Sequence, residues 1–183
     1  MLASTPVIAS AASDSSTTTV SATVSAVISI STSSTVSISL TPTSGGVVSS
    51  ASDTVTVSTN NTAGYNLTLA DSDATTSLAS GGNTITAHGG TFASPTALTA
   101  GKWGYRIVSA GGFGGTAYTA ETNNGSSSST WAGVPATGSA QTVKSTGSTA
   151  TNDTTTVWYG AKVDTSQPNG TYTDTVTYTA TTN

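Results

Sequence analysis

The sequence predicts an all-β fold, namely an immunoglobulin-like or jelly-roll β-sandwich with a long N-terminal strand. In several segments, apolar residues alternate with Ser or Thr at period two, which is the spacing of a half-buried strand. Clusters of Gly, Asn, Pro and Ser separate these segments, as turns do in β-sandwiches. No segment repeats its apolar residues at the period of about 3.6 that indicates an amphipathic helix.

The longest alternating segment is Thr17 to Ser31 (TTTVSATVSAVISIS), and only Val27 breaks its pattern. Side chains at every second position of a strand point to the same face. The segment therefore predicts one strand, about twice the usual length, with a single apolar face. That face consists of Val20, Ala22, Val24, Ala26, Ile28 and Ile30.

The next segments predict shorter strands joined by turns. Val36 to Leu40 repeats the alternation before the turn PTSGG at 42–46. The turn NNTAG at 60–64 lies between apolar residues at 55–57 and 65–69, which predicts a hairpin.

The second half of the chain is less regular until its end. Short strands are predicted at 83–87, 102–108 and 141–144. Thr154 to Asp164 and Thr171 to Thr181 alternate strictly on either side of the turn SQPNG, and we expect them to form the clearest hairpin of the chain. Around eight to ten strands are expected in all.

The chain divides into two parts by this pattern. Residues 1–31 are predicted to be an N-terminal extension and a candidate donor strand, and residues 32–183 a single β-sandwich domain. Residues 1–11 (MLASTPVIASA) end in Ala-x-Ala like a secretory signal, but they are short and lack a cationic start. We therefore expect Met1 to Ser16 to belong to the mature protein.

The composition narrows the function classes. Charged residues make up 7% of the chain, and Lys and Arg together number four, with a net charge of −4. Such a surface cannot neutralise a run of phosphates, so we expect no nucleic-acid partner. No stretch approaches the roughly 20 apolar residues of a membrane span. Roughly two residues in five are Ser or Thr, well above ordinary usage. This bias, with few Lys and Glu, favours an extracellular, cell-surface location.

The inventory of reactive side chains argues against an enzyme. There is no cysteine, His88 is the only histidine, and no G-x-S-x-G motif occurs. We expect no catalytic residue, no cofactor and no metal site. Asp71, Asp73 and Asp53 are candidates for a calcium site, but Asp-Ser-Asp lacks the rest of a known calcium loop and is interpreted as a solvated turn.

Two further groups of residues suggest carbohydrate. Five asparagines stand in Asn-x-Ser/Thr and are candidate glycosylation sites, although chance produces many such triplets in a Ser/Thr-rich chain. These are Asn60, Asn66, Asn124, Asn152 and Asn169. Seven aromatic residues can stack on sugars, although such residues more often fill a core. These are Trp103, Tyr105, Phe113, Tyr118, Trp131, Trp158 and Tyr159.

The C-terminal segment TVWYGAKVDTSQPNGTYTDTVTYTAT, with its P-x-G-x-Y-x-x-x-V core, resembles the ending of secreted β-sandwich subunits, including pilins of the archaic chaperone–usher and spore-coat type. The stretches VTVSTNNTAGYNLTLADSD and KWGYRI look more like uncharacterised repetitive surface proteins of environmental bacteria. The resemblance covers about two-thirds of the chain. It implies a surface β-sandwich that assembles by strand exchange, and it implies no catalytic residue.

Two functions follow as hypotheses. The first is a structural subunit of a pilus-like extracellular filament, in which the N-terminal strand of one copy completes the sheet of the next. A head-to-tail contact that does not close generates a filament, so the main partner is the protein itself. The alternative is a monomeric cell-surface adhesin or stalk domain that binds a host surface or a glycan.

Overall fold

The structure of the protein is a computed structural model that describes residues 1–115 and 117–183. These residues form eleven strands and no helix, which confirms the all-β prediction. The count exceeds the expected eight to ten because three of the strands have only two or three residues. The strands are β1 (Ile28–Ser31), β2 (Val47–Thr59), β3 (Tyr65–Asp71), β4 (Leu78–Ser80), β5 (Asn83–Ala87), β6 (Thr96–Ala97), β7 (Lys102–Ile107), β8 (Thr130–Trp131), β9 (Gln141–Ser145), β10 (Ala150–Val163) and β11 (Val176–Thr182).

The strands belong to three sheets. The largest has six strands in the order β1-β2-β10-β7-β5-β4. The second has three strands in the order β11-β3-β9, and β6 pairs with β8 in a third, small sheet. The β5–β7 pair is parallel, and the other pairs of named strands are antiparallel.

One hydrophobic cluster draws on both larger sheets. The long strands β2 and β10 pair from Val47 to Thr59 and present alternate apolar side chains such as Val55 and Val157, which are fully buried. From the second sheet, β3 presents Tyr65, Leu67 and Leu69 to the same cluster. Burial of this apolar area is the main stabilising contribution to the fold. An immunoglobulin-like or jelly-roll strand order stays a prediction.

The opposite face of the six-stranded sheet carries a second, smaller cluster. Trp158 alternates with the core residues Val157 and Tyr159, so its side chain lies on this opposite face. There it packs with Tyr118 and the fully buried Trp131. Trp131 fits because position 160 is a glycine: a Cβ at Gly160 would lie 2.5 Å from the Trp131 ring.

Both predicted hairpins are wrong. β2 and β3, which flank residues 60–64, lie in different sheets, and so do β10 and β11, which flank the SQPNG turn. β10 pairs with β2 and β7, whereas β11 pairs with β3. Period-two alternation indicates which face of a strand is buried. It does not specify which other strand becomes the hydrogen-bonded neighbour.

The long N-terminal strand is shorter than predicted, because only Ile28–Ser31 is a strand. Ile28 pairs with Thr59, the last residue of β2, so the residues before Ile28 run past the end of their neighbour. Residues 17–27 accordingly have no strand pairing and are exposed. The predicted strand at 36–40 also does not form, although Val36, Ile38 and Leu40 pack against the core.

Candidate functional site

An apolar groove of about 830 Å³ opens between the edges of the two larger sheets. Its floor is made by side chains of the six-stranded sheet, including Trp103 on β7 and Tyr159, Ala161 and Val163 on β10. Its two walls are the segment 32–42 and the C-terminal segment 167–178. The floor belongs to the hydrophobic core, so the groove is a place where the core comes close to the surface.

The first wall is an extended segment held at both ends. At its start, the Asp53 carboxylate accepts hydrogen bonds from Thr32 Oγ1 and, at 3.0 Å, from the Ser33 amide. At its end, the Thr41 amide donates to Asn123 Oδ1 at 2.7 Å. Between these anchors, residues 34–40 belong to no strand ladder and are held by three half-buried apolar side chains.

The second wall is formed by β11 and the residues before it. Val176 and Tyr178 face the groove, while Thr177 and Thr179 between and beyond them are exposed. The Tyr178 hydroxyl lies 2.6 Å from the Tyr159 hydroxyl, which ties this wall to the floor. Burial raises the pKa of both tyrosines, so both hydroxyls are neutral at physiological pH.

The strand β11 lies at the edge of its sheet. It pairs with β3 on one side, and among the described residues no strand pairs with its other side. An edge strand presents backbone N–H and C=O groups that can pair with another extended chain. The groove therefore combines an apolar floor with one strand edge that no described strand pairs with, although β1 lies near β11.

The predicted donor residues are in two different situations. Four of them, Val20, Ala22, Val24 and Ala26, are exposed, with Val20 at 89% and Val24 at 84%. Ile28 and Ile30 instead pair with Thr59 and Val57 of their own chain, so they are not free to join a neighbour. The candidate donor is therefore confined to residues 17–27.

Asn60 fixes the point at which the free segment leaves the body of the protein. Its Oδ1 accepts a hydrogen bond from the Val27 amide at 2.8 Å, and its Nδ2 donates to the Ser25 carbonyl at 3.0 Å. The Thr59 hydroxyl donates to the Val27 carbonyl at 2.7 Å. These bonds bind the backbone of residues 25–27 and leave the side chains before them without contacts to the core.

The candidate glycosylation sites differ in availability. The Asn60 amide is engaged as above, Asn66 donates to Asn183, and Asn124 bonds Glu121 and Ser126. Asn152 sits at positive φ in the irregular start of β10 and accepts from Ser58. Asn169 is exposed in the SQPNG turn, as Asn60 and Asn152 are in their own segments.

The aromatic residues predicted as a sugar platform are mostly interior. Trp103, Tyr105, Phe113, Trp131 and Tyr159 are buried, whereas Tyr118 and Trp158 are half-buried. The guanidinium of Arg106, itself 7% exposed, lies 4.1 Å from the centre of the Tyr118 ring in a cation–π contact. Tyr118 and Trp158 pack edge to face. These rings fill space within the fold and do not form an open stacking surface.

The sequence grouping of Asp53 with Asp71 and Asp73 is wrong. Asp53 binds the start of the first groove wall, as described above. Asp71 and Asp73 instead meet Asp174, and one carboxylate oxygen from each of the three lies within 4.8 Å of the others. Asp71 is 1% exposed, so it is no solvated turn residue. Burial and the negative charges of Asp71 and Asp73 raise the pKa of Asp174 to about 6.

Comparison with protein-family models, curated proteins and solved structures finds no match for this chain. Across residues 1–115 and 117–183, no helix is long and apolar enough to cross a membrane. Function is therefore inferred from the geometry of the groove and of the residues around it.

Sequence reasoning addressed one half of this candidate site, the N-terminal segment. The alternation of residues 17–27 marked the apolar segment, but nothing in the local pattern indicated the groove. Its floor comes from β7 and β10 and its walls from segments far apart in the chain. The one available signal was the apolar alternation at Val176 and Tyr178, which marked a face of β11 without locating it.

Proposed function

We propose that this protein is a structural subunit of an extracellular filament, assembled by β-strand complementation between identical copies. The observation that carries the proposal is the coexistence, in one chain, of an exposed alternating apolar segment and an apolar groove with an open strand edge. Residues 17–27 have no partner strand, and β11 has one unpaired side within the described chain. The exposed segment lacks a partner strand, and the unpaired side of β11 could provide one.

In the proposed assembly, residues 17–24 of one copy, which precede the backbone held by Asn60 and Thr59, enter the groove of the next and extend the sheet at β11. Backbone hydrogen bonds provide affinity, and alternate side chains enter the groove. Because the donor and the groove are different surfaces, the contact is heterologous and repeats from copy to copy.

The charge of the donor supports the match. No ionisable side chain occurs between Asp14 and Asp53, so the donor itself carries no charge into the groove, although Asp53 and Asp174 lie in the groove lining. An extended chain of this composition can be buried without compensating ion pairs.

The surface composition supports the proposed extracellular location. The outward face of β11 is a row of exposed threonines, and charged residues make up 7% of the chain. Hydroxyl groups solvate a surface without the charge that repels neighbouring subunits. The resemblance of the C-terminal segment to secreted pilin subunits points in the same direction.

The test replaces donor residues by aspartate. Val20→Asp with Val24→Asp puts two charges on the face that enters the groove, and we expect filaments to be lost in electron micrographs. The matched control, Ser21→Asp with Thr23→Asp, adds the same charge to the opposite face and should leave filaments intact. All four residues are exposed, so both variants should keep the monomer's unfolding temperature. Normal filaments from the first variant would contradict the proposal.

The adhesin or stalk hypothesis has less support. The aromatic residues that it would use for glycan stacking are buried or half-buried. A wild-type protein that stays monomeric and binds specific sugars on a glycan array would favour it over the filament.

A further inference from the structure

The three carboxylates of Asp71, Asp73 and Asp174 meet where the end of β3 touches the residues that lead into β11. Asp71 is the last residue of β3, and Asp174 lies two residues before β11. The Ser72 amide donates to the Thr175 carbonyl at 3.0 Å and holds the two segments together. The cluster thus joins one wall of the groove to the core strand β3.

Two buried oxygens in this cluster lack any donor. Asp71 Oδ1 accepts a hydrogen bond from the Asp73 amide, and Asp174 Oδ1 accepts one from the Thr175 amide. The second oxygen of each, Asp71 Oδ2 and Asp174 Oδ2, is buried and has no hydrogen-bond partner among the described residues. A buried carboxylate oxygen without a partner is costly, and the Asp71 side chain is almost entirely removed from water.

Among the residues that the structure describes, no cationic side chain forms a salt bridge with these carboxylates. The one salt bridge in the described part of the chain joins Lys144 to Asp153, and neither of these residues belongs to the cluster. A proton or a bound cation would therefore stabilise the cluster.

We infer that Asp71, Asp73 and Asp174 form a binding site for a calcium ion. The atoms available to bind a metal are all carboxylate oxygens, which suit a hard cation. The cluster has no imidazole or thiolate to favour zinc. Asp73 is exposed, so an ion and its remaining water ligands can enter from solvent. Calcium accepts irregular sets of carboxylates and waters, whereas magnesium requires near-ideal octahedral geometry. Bound calcium would clamp the segment before β11 to β3.

The experiment measures calcium binding to the full-length monomer, so it does not depend on filament assembly. Chelator-treated protein is titrated with calcium chloride by calorimetry, and its unfolding temperature is recorded with calcium, magnesium or chelator. Extracellular sites bind calcium with Kd of about 0.1 to 1 mM. At about 10 mM calcium, a single such site should raise the unfolding temperature by roughly 3 to 10 °C. Magnesium should have a smaller effect.

Variants distinguish a built site from general salt effects. Asp174→Asn should abolish the calcium response, while the chelated variant unfolds at or above the wild-type temperature because one of the crowded charges is gone. Asp164→Asn is the matched control. Asp164 accepts hydrogen bonds from the Ser166 amide and hydroxyl, as Asp73 does from those of Thr75, but it lies outside the cluster. This variant should respond to calcium like the wild type.

Two outcomes would overturn the inference. If calcium leaves the wild-type unfolding temperature unchanged and calorimetry detects no binding, the carboxyl groups are satisfied by a shared proton alone. If Asp174→Asn and Asp164→Asn respond to calcium as strongly as the wild type, the effect is not at this cluster.

Discussion

Asp153 has a partly buried carboxylate whose two hydrogen-bond partners lie on other strands. Its Oδ1 accepts a hydrogen bond from Lys144 Nζ at 2.5 Å, and its Oδ2 accepts one from the Tyr65 hydroxyl at 2.8 Å. Burial alone would raise the pKa of Asp153, but the hydrogen bonds from Lys144 and Tyr65 bring that pKa below its ordinary value. Tyr65 lies on β3, Lys144 on β9 and Asp153 on β10, so this group connects the two larger sheets.

The lowered pKa predicts how this contact depends on pH. A carboxyl group with a lowered folded-state pKa stabilises the protein above its unfolded-state pKa of about 3.8 and loses that contribution as pH falls through the folded-state pKa. Asp153→Asn should therefore lower the free energy of unfolding by about 1 to 2 kcal/mol near neutral pH. The difference from wild type should shrink towards zero near about pH 2, as measured by urea unfolding.

A suitable control for that experiment is Asp14→Asn. Asp14 lies on the exposed N-terminal segment, so its substitution should leave the free energy of unfolding unchanged at both pH values. A difference between wild type and Asp153→Asn that is as large in acid as at neutral pH would show that the contact does not depend on the charge of Asp153.

Single residues also show where sequence reasoning ends. The period-two pattern correctly assigned the buried face of β10, with Val157, Tyr159, Ala161 and Val163 inward. It could not associate Asp174 with Asp71, because the two are brought together by the β3–β11 pairing and not by any local spacing. Contacts of this kind depend on sheet order, which one sequence does not specify.

At the scale of elements, the strands were largely predictable and their partners were not. The segments at 83–87, 102–108 and 141–144 correspond closely to β5, β7 and β9. The two predicted hairpins failed because each connection passes from one sheet to the other. Alternating residues fit equally well in either sheet, since both contribute to the same core. The predicted strand at 36–40 failed for another reason: its apolar side chains pack on the core, but its backbone forms no ladder hydrogen bonds.

The segment 34–40 should consequently be the least protected part of the groove. Its amides have no ladder hydrogen bonds, whereas β10 lies between β2 and β7. Local opening of such a segment costs far less than global unfolding. Native-state hydrogen exchange of the monomer should show amides at 34–40 exchanging at least about a hundredfold faster than those at the centre of β10.

The exchange experiment contains its own comparison. Thr41 donates its amide to Asn123 and Ser33 donates its amide to Asp53, so these two flanking positions should exchange more slowly than the residues between them. Protection of 34–40 as strong as that of β10 would mean that this segment forms a ladder of its own, and this wall of the groove would then be a strand.

At the scale of the whole molecule, the donor and the groove are separate features of one chain, so each can be supplied separately. A synthetic peptide of residues 17–27 should occupy the groove of the full-length protein and compete with the donor of the next copy. Each occupied groove ends a growing filament, so added peptide should shorten filaments in electron micrographs in proportion to its concentration.

The site of peptide binding follows from the open edge. In NMR spectra of the monomer, the peptide should shift backbone amide signals of Val176–Thr182, whereas those of β9, at the far edge of the same sheet, should stay in place. A peptide of the same composition with its Val and Ala residues moved out of alternation is the control, because it cannot present one apolar face. If the alternating peptide shortens filaments but leaves the β11 signals unchanged, the donor binds elsewhere; if both peptides act alike, the alternation of residues 17–27 is not what the acceptor recognises.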